Sequence, residues 1–153
     1  MTIVGVISDT HGLLRPEAVE ALRGCEHILH AGDIGALAIL EKLESIAPVT
    51  AVRGNVDREV WARGIPQNQM VEIGGVSIYV LHILAELGLK PEAAGFGVVV
   101  YGHSHVPSQK VTEGVLYFNP GSAGPRRFQL PVTVGRLVVE GGSVRGEIIA
   151  IDG

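Results

Sequence analysis

Apolar runs that close on polar turns, separated by stretches of helical spacing, recur through the first third of the chain. No other feature restricts the fold as strongly. Thr2–Ser8 is short and apolar and ends at a polar turn, the pattern of a buried strand. Pro16 to Leu22 follows with helical spacing, and Pro16 suits a first helical turn, where its missing N–H is not needed. His27–His30 predicts a second strand, Ala36–Ile46 a second helix and Val49–Val52 a third strand. This β-α-β-α-β alternation argues for parallel strands with covering helices, because a parallel pair needs a crossover long enough to hold a helix.

From Asn68 the rhythm changes. "QMVEIGGVSIYVLH" predicts two strands about a Gly74-Gly75 hairpin turn. A helix is predicted over Leu84–Ala94, then a buried strand in "GVVVYG". Beyond His105, strands are predicted at Ser108–Thr112, Val115–Phe118, Val132–Glu140 and Val144–Ile151. Parallel α/β first and antiparallel β later predict two sheets packed face to face, with helices outside. The 153 residues carry no repeat or linker, so one domain over 1–153 is expected.

Composition narrows the function classes. A net charge of −4 offers no general attraction to nucleic acid or anionic membrane, so an anionic substrate needs positive charge supplied locally. Cys25 is the only cysteine, which excludes an internal disulfide framework. No apolar run approaches the ~18 residues of a membrane span. "MTIVGVISDTHG" lacks the build of a signal peptide, so a cytoplasmic location is expected.

Residues able to bind metal recur just after the predicted strands. "SDTHG" supplies Asp9 and His11, "HAGD" supplies Asp33, and "RGNVD" supplies Asn55 and Asp57. "LHI" supplies His82, and "YGHSH" supplies His103 and His105. In open α/β sheets the carboxyl ends of strands line the binding crevice, so these groups can converge. Imidazole with carboxylate and amide oxygen suits borderline divalent ions, and the lack of thiolates argues against a structural zinc knot. A carboxylate such as Asp33 could bridge two metals roughly 3.5–4 Å apart, the spacing used for in-line phosphoryl displacement. Neither a phosphate-cradling GxxxxGK[ST] loop nor a dinucleotide fingerprint is present.

Each piece alone has a plainer reading. Asp9 and His11 suit a helix-entry turn, His103 and His105 alternate as at a strand entry, Asn55 suits a turn, and His82 suits an apolar core. The ordered set "D-x-H … G-D … G-N … H … G-H-x-H", with "FNPGSAGPR" at Phe118–Arg126, resembles the calcineurin-like metallophosphoesterases. More narrowly it resembles their small single-domain YfcE-type phosphodiesterase branch, from Ile3 to about Arg126.

The resemblance implies a four-layer α/β/β/α sandwich of two mixed sheets. It implies a first metal held by Asp9, His11, Asp33 and His105, and a second held by Asp33, Asn55, His82 and His103. Asp33 would bridge, and a hydroxide between the metals would attack a small or nucleotide-like phosphodiester. Asp33, Asn55, His82 and His103 are the catalytic candidates. Manganese is the first expectation for the metals, with nickel, iron, zinc or magnesium as alternatives. Two divalent ions less two carboxylates and a hydroxide leave a site of roughly +1 on a protein of net −4, the local positive charge that composition lacks.

Other residues have open roles. Arg126 and Arg127 could reach a substrate phosphate or form a solvated pair. His30, Asp57 and Asn119 are candidates to support the ligands from behind, with His30 alternatively a core residue and Asp57 a turn cap. Trp61 and Phe128 are expected in core or dimer contacts, and a homodimer is compatible with the family. Val56 stands where larger relatives carry a histidine that protonates the leaving group. Ile83 stands where the family carries glycine and is expected to crowd the second metal. Two rival functions remain: a protein-binding scaffold like the retromer subunit of this fold, and a phosphomonoesterase.

Overall fold

A computed structural model describes residues 1–151. Its strands are β1 (Thr2–Ile7), β2 (His27–His30), β3 (Val49–Ala51), β4 (Asn68–Ile73), β5 (Val76–Leu81), β6 (Val98–Val100), β7 (Ser108–Thr112), β8 (Val115–Asn119), β9 (Thr133–Glu140) and β10 (Ser143–Ala150). Three α-helices accompany them, α1 (Pro16–Ala21), α2 (Leu37–Glu44) and α3 (Pro91–Ala94). The strands form two five-stranded sheets, β10-β9-β1-β2-β3 and β4-β5-β6-β8-β7.

Side-chain alternation along the strands builds the layers. Val4 and Val6 of β1, with Leu29, Leu137 and Val139, meet Ile78, Val80, Val98, Val100 and Phe118 of the second sheet in a buried core between the sheets. The opposite face of the first sheet packs Ile7 and Ile28 on Leu22, Leu40 and Leu43 of the α1 and α2 region. The outer face of the second sheet packs Tyr79, Leu81, Val99 and Val115 against Leu84, Leu87, Leu89 and Phe96. Helix, sheet, sheet and helix therefore stack in four layers, as expected. Among the described residues, no helix is long and apolar enough to cross a membrane.

Two predictions are corrected. The chain does not divide into a parallel first half and an antiparallel second half. β9 and β10 return to the first sheet, β9 lying antiparallel to β1, while β5, β6 and β8 are mutually parallel inside the second. Nor is Leu84–Ala94 one helix. A single 3₁₀ turn covers Leu84–Glu86, and Lys90 is extended at φ −98 and ψ 104. That is the conformation forced on a residue before proline, so α3 can begin only at Pro91.

Candidate metal centre

Strand register brings the carboxyl ends of the strands level. Ile7 pairs with His30 and His30 with Ala51, so the loops after β1, β2 and β3 emerge side by side. In the second sheet Val80, Val100 and Phe118 are level in the same way. Asp9 and His11 follow β1, Asp33 follows β2, His82 follows β5, and His103 and His105 follow β6.

The loop backbones are themselves paired. The N–H groups of Asp9, His11 and Gly12 donate to the carbonyls of Gly32, Asp33 and Ile34 at 3.0, 2.9 and 2.8 Å, laying the first ligand loop along the second. Asp9, His11, Asp33, His103 and His105 all have left-handed backbone, with φ of 56, 47, 55, 73 and 65°. Among the described residues only Glu113 and Phe128 are further non-glycine cases. Each such residue costs roughly 1–3 kcal/mol, and such strain gathers at functional sites.

The side chains form two adjoining sets. Asp9, His11 and His105 present donor atoms within 4.8 Å of one another, and so do Asp33, His82 and His103. Each set draws donor atoms from both sheets. Asp33 Oδ2 lies between them, 3.7 Å from His11 Nε2 and 3.1 Å from His82 Nε2. Asp9 Oδ1 lies 3.4 Å from His105 Nε2 and 3.7 Å from His11 Nε2.

The other atoms of these groups are already engaged. Asp9 Oδ2 accepts from the Ser8 hydroxyl at 2.7 Å and the His103 N–H at 3.1 Å. Asp33 Oδ1 accepts from the Val56 N–H at 3.1 Å. By contrast Asp9 Oδ1, His11 Nε2 and His82 Nε2 are buried without a hydrogen-bond partner, as is His105 Nδ1. Buried polar atoms rarely stay unsatisfied. Asp9 Oδ1, His11 Nε2 and His82 Nε2 lie orphaned around one space, a set of O and N donors that fits divalent cations.

Supporting residues hold this arrangement. Asp57 is buried and accepts from the Ile34, Gly35 and Gly54 N–H groups at 3.0, 3.0 and 2.9 Å, tying the loop after β2 to the loop after β3. His30 is fully buried. Its Nδ1 accepts from the Gly32 N–H at 3.1 Å, so Nε2 carries the proton and donates to Thr10 Oγ1 at 3.0 Å. Thr10 in turn donates to the Ile34 carbonyl at 2.8 Å. Asn119 Nδ2 bonds the Gly102 carbonyl and Ser104 Oγ, and its Oδ1 takes the Gly121 N–H, which braces the loop carrying His103 and His105. A Cβ on Gly54 would fall on Asp33 Oδ1, and one on Gly102 would fall on Ser8 Oγ, so both loops close only with glycine.

The remaining candidates separate. Asn55 is exposed and shares a cleft wall with His82, without a bonded contact to the carboxylates. Arg126 donates to the Leu130 carbonyl at 3.0 Å within its own loop, whereas Arg127 lies close enough to His11 for its charge to oppose protonation there. Phe128 is not a core residue, being 86% exposed, while Trp61 packs partly buried against the helical side of the first sheet. Ile83 has φ −111 and ψ 111, ordinary extended backbone that needs no glycine. Ser8 and Thr10 were missed as supports; their place on either side of Asp9 was the available signal.

Residues 1–142 match the sequence model of the calcineurin-like phosphoesterase superfamily domain. The chain belongs to that family. A probable metallophosphoesterase of Methanothermobacter thermautotrophicus is 37% identical to this family member, over 96% of this chain and 91% of that one. The structure of an archaeal phosphodiesterase superposes with a TM-score of 0.79 at 26% identity, covering 97% of this chain and all (100%) of the other. Vps29 of Chaetomium thermophilum gives a TM-score of 0.78 at 20% identity over 97% and 96%, a likeness of fold alone.

The electrostatics of this centre favour cations. Burial works to raise the Asp9 carboxyl, but His105, His11, His82 and Ser8 overrule it and hold the group well below the carboxylate range. Asp33 is lowered too, its burial outweighed by His82. His11 is raised, chiefly by Asp9. His82 is also raised, because Asp33 and Asp9 outweigh its burial. Both carboxylates are thus charged at neutral pH, and protons compete with metal at the imidazoles.

Proposed function

We propose that this chain is a two-metal-dependent phosphodiesterase acting on a small or nucleotide-like diester. The observation that carries the proposal is the single oxygen Asp33 Oδ2, set between the Asp9–His11–His105 and Asp33–His82–His103 groups. Asp9, His11, His105 and Asp33 would hold one divalent ion, and Asp33, His82, His103 and Asn55 the other, with manganese the first candidate. Such ions would polarise the phosphoryl oxygens and make water between them a nucleophile at neutral pH.

The chain's own residues do the positioning. Asp33 keeps Oδ2 free because Val56 N–H occupies Oδ1. Arg127, exposed beside His11, is placed to meet a phosphoryl oxygen. Position 56, next to Asn55, carries an apolar side chain and no proton donor, which favours esters whose leaving group departs without protonation.

The test uses the whole chain purified without chelator. Mass spectrometry should find about two equivalents of transition metal per chain, the number required by a two-ion site. Bis(p-nitrophenyl) phosphate should be hydrolysed with manganese, and Asp33→Asn should abolish that while the far-ultraviolet spectrum is unchanged. Retained hydrolysis in Asp33→Asn overturns the bridging role. Absence of bound metal and of hydrolysis despite added manganese would instead make the chain a scaffold.

A further inference from the structure

Beside the centre lies a cleft of about 190 Å³ that shares Asn55 and His82 with the second ligand group. The cleft is open to solvent and has room for one sugar-phosphate moiety. Its other walls present Arg53, Gln67, Asn68, Ile83 and Glu86. A phosphodiester carries two substituents on the reacting phosphorus. Whichever one lies on the His82 side enters this cleft.

Arg53 is the unusual group. It lies two residues past β3, and its N–H donates to the Pro66 carbonyl at 2.9 Å, so its backbone is fixed. The residue is only partly buried, and among the described residues its guanidinium has no hydrogen-bond or ion-pair partner. A guanidinium that lines an open cleft without a protein acceptor is available to an anion, and its planar fork matches phosphate oxygens. Glu86 lines the same cleft but makes no ion pair with Arg53. Glu86 is exposed, where solvent screens it, and with Gln67 and Asn68 it can bond hydroxyls.

We infer that Arg53 reads a second phosphate on the substrate, so that the preferred diester carries a phosphorylated, hydroxyl-bearing substituent in this cleft. The inference rests on the phosphodiesterase reading and deepens it. Arg53 is a specificity-determining residue here, lining the cleft but outside both donor groups of the centre.

The test compares the p-nitrophenyl ester of thymidine 5′-phosphate with the same ester bearing a 3′-phosphate. The leaving group is identical and one phosphate differs. With manganese, the wild-type chain should favour the 3′-phosphorylated diester by about tenfold in kcat/KM, the discrimination that one charge-assisted contact of about 1.4 kcal/mol gives. Arg53→Gln should bring that ratio to near one, and Arg53→Lys should keep part of it. No preference in the wild type, or an undiminished preference in Arg53→Gln, overturns the inference. An equal fall for both esters with the ratio retained also overturns it, since Arg53 would then serve the reacting phosphate.

A binding measurement separates this failure from failure of the phosphodiesterase reading. Calorimetry on the wild-type chain should show thymidine 3′,5′-bisphosphate binding about tenfold more tightly than thymidine 5′-phosphate, whether or not either ester is hydrolysed. Equal binding overturns the cleft assignment even if Arg53→Gln proves unable to fold.

Discussion

His82 faces Asp33 across 3.1 Å because its other ring nitrogen is committed to the Ala31 carbonyl at 2.8 Å. A carbonyl can only accept, so Nδ1 carries the hydrogen and Nε2 presents its lone pair to the centre. This is the arrangement by which a backbone acceptor fixes the tautomer of a metal-binding imidazole. The Ala31 carbonyl is therefore what holds the ring in place.

Metal affinity should fall on acidification. His11 and His82 both titrate above the ordinary imidazole value of 6.5 in the metal-free protein, His11 chiefly through Asp9 and His82 because Asp33 and Asp9 outweigh burial. Metal must displace those protons, so binding is strongest above that range and weakens as pH falls through it. Calorimetric titration with manganese between pH 8.5 and 5.5, roughly two units above and one below the free value, should show this together with proton release. Affinity independent of pH would contradict it.

Asp57→Asn should destabilise the fold and loosen the site. The carboxylate accepts three buried N–H groups, and an amide would turn donor hydrogens toward some of them. The cost is about 3 kcal/mol, a drop in Tm of roughly 6–12 °C for a domain of this size. Metal affinity should weaken by about 10–100-fold, as when other outer supports are removed. Differential scanning calorimetry and metal titration read the two effects separately.

His30 should make the protein sensitive to acid. Burial lowers its pKa from 6.5 to about 4, so the unfolded state binds its proton first as pH falls. Between those values the unfolded chain holds more protons than the folded one, and stability decreases as pH drops. The full effect is about 3 kcal/mol. Urea unfolding at pH 7, 5.5 and 4 should show the decline, and His30→Gln should flatten it across the window set by these two pKa values.

Ile83→Gly should leave metal occupancy unchanged. The residue sits at φ −111, where any side chain is comfortable, so the crowding expected from its branched side chain does not follow from the backbone. Glycine should only cost about 0.5–1 kcal/mol through added freedom of the unfolded chain. Metal analysis of the variant checks this, and a gain of a full equivalent would restore the crowding argument.

The parts visible in the sequence were those written locally. Strand ends, the Gly74-Gly75 turn and the ligand-bearing loops follow from periodicity and punctuation over a few residues. Convergence of Asp9, Asp33, His82, His103 and His105 followed once those loops were placed at strand carboxyl ends. The partner of β9 was not legible, because alternation gives a strand its faces and leaves its neighbours unspecified. Lys90 and Pro91 did carry the signal that breaks the expected helix, and helical spacing of the apolar residues outweighed it. Whether Asp57 supports the ligands or caps a turn stayed open in the sequence because its three donors come from two loops, with Ile34 and Gly35 more than twenty residues earlier in the chain. The left-handed backbone of five ligand candidates was not legible, since aspartate and histidine are enriched in that region yet adopt it in only a minority of their positions.

Each ligand set also draws on both halves of the sandwich, with Asp9, His11 and Asp33 from one sheet and His82, His103 and His105 from the other. A cation held there acts as a rivet at the rim of the inter-sheet core. Sliding one sheet over the other would tear its coordination shell, so chelation resists shear as well as unfolding.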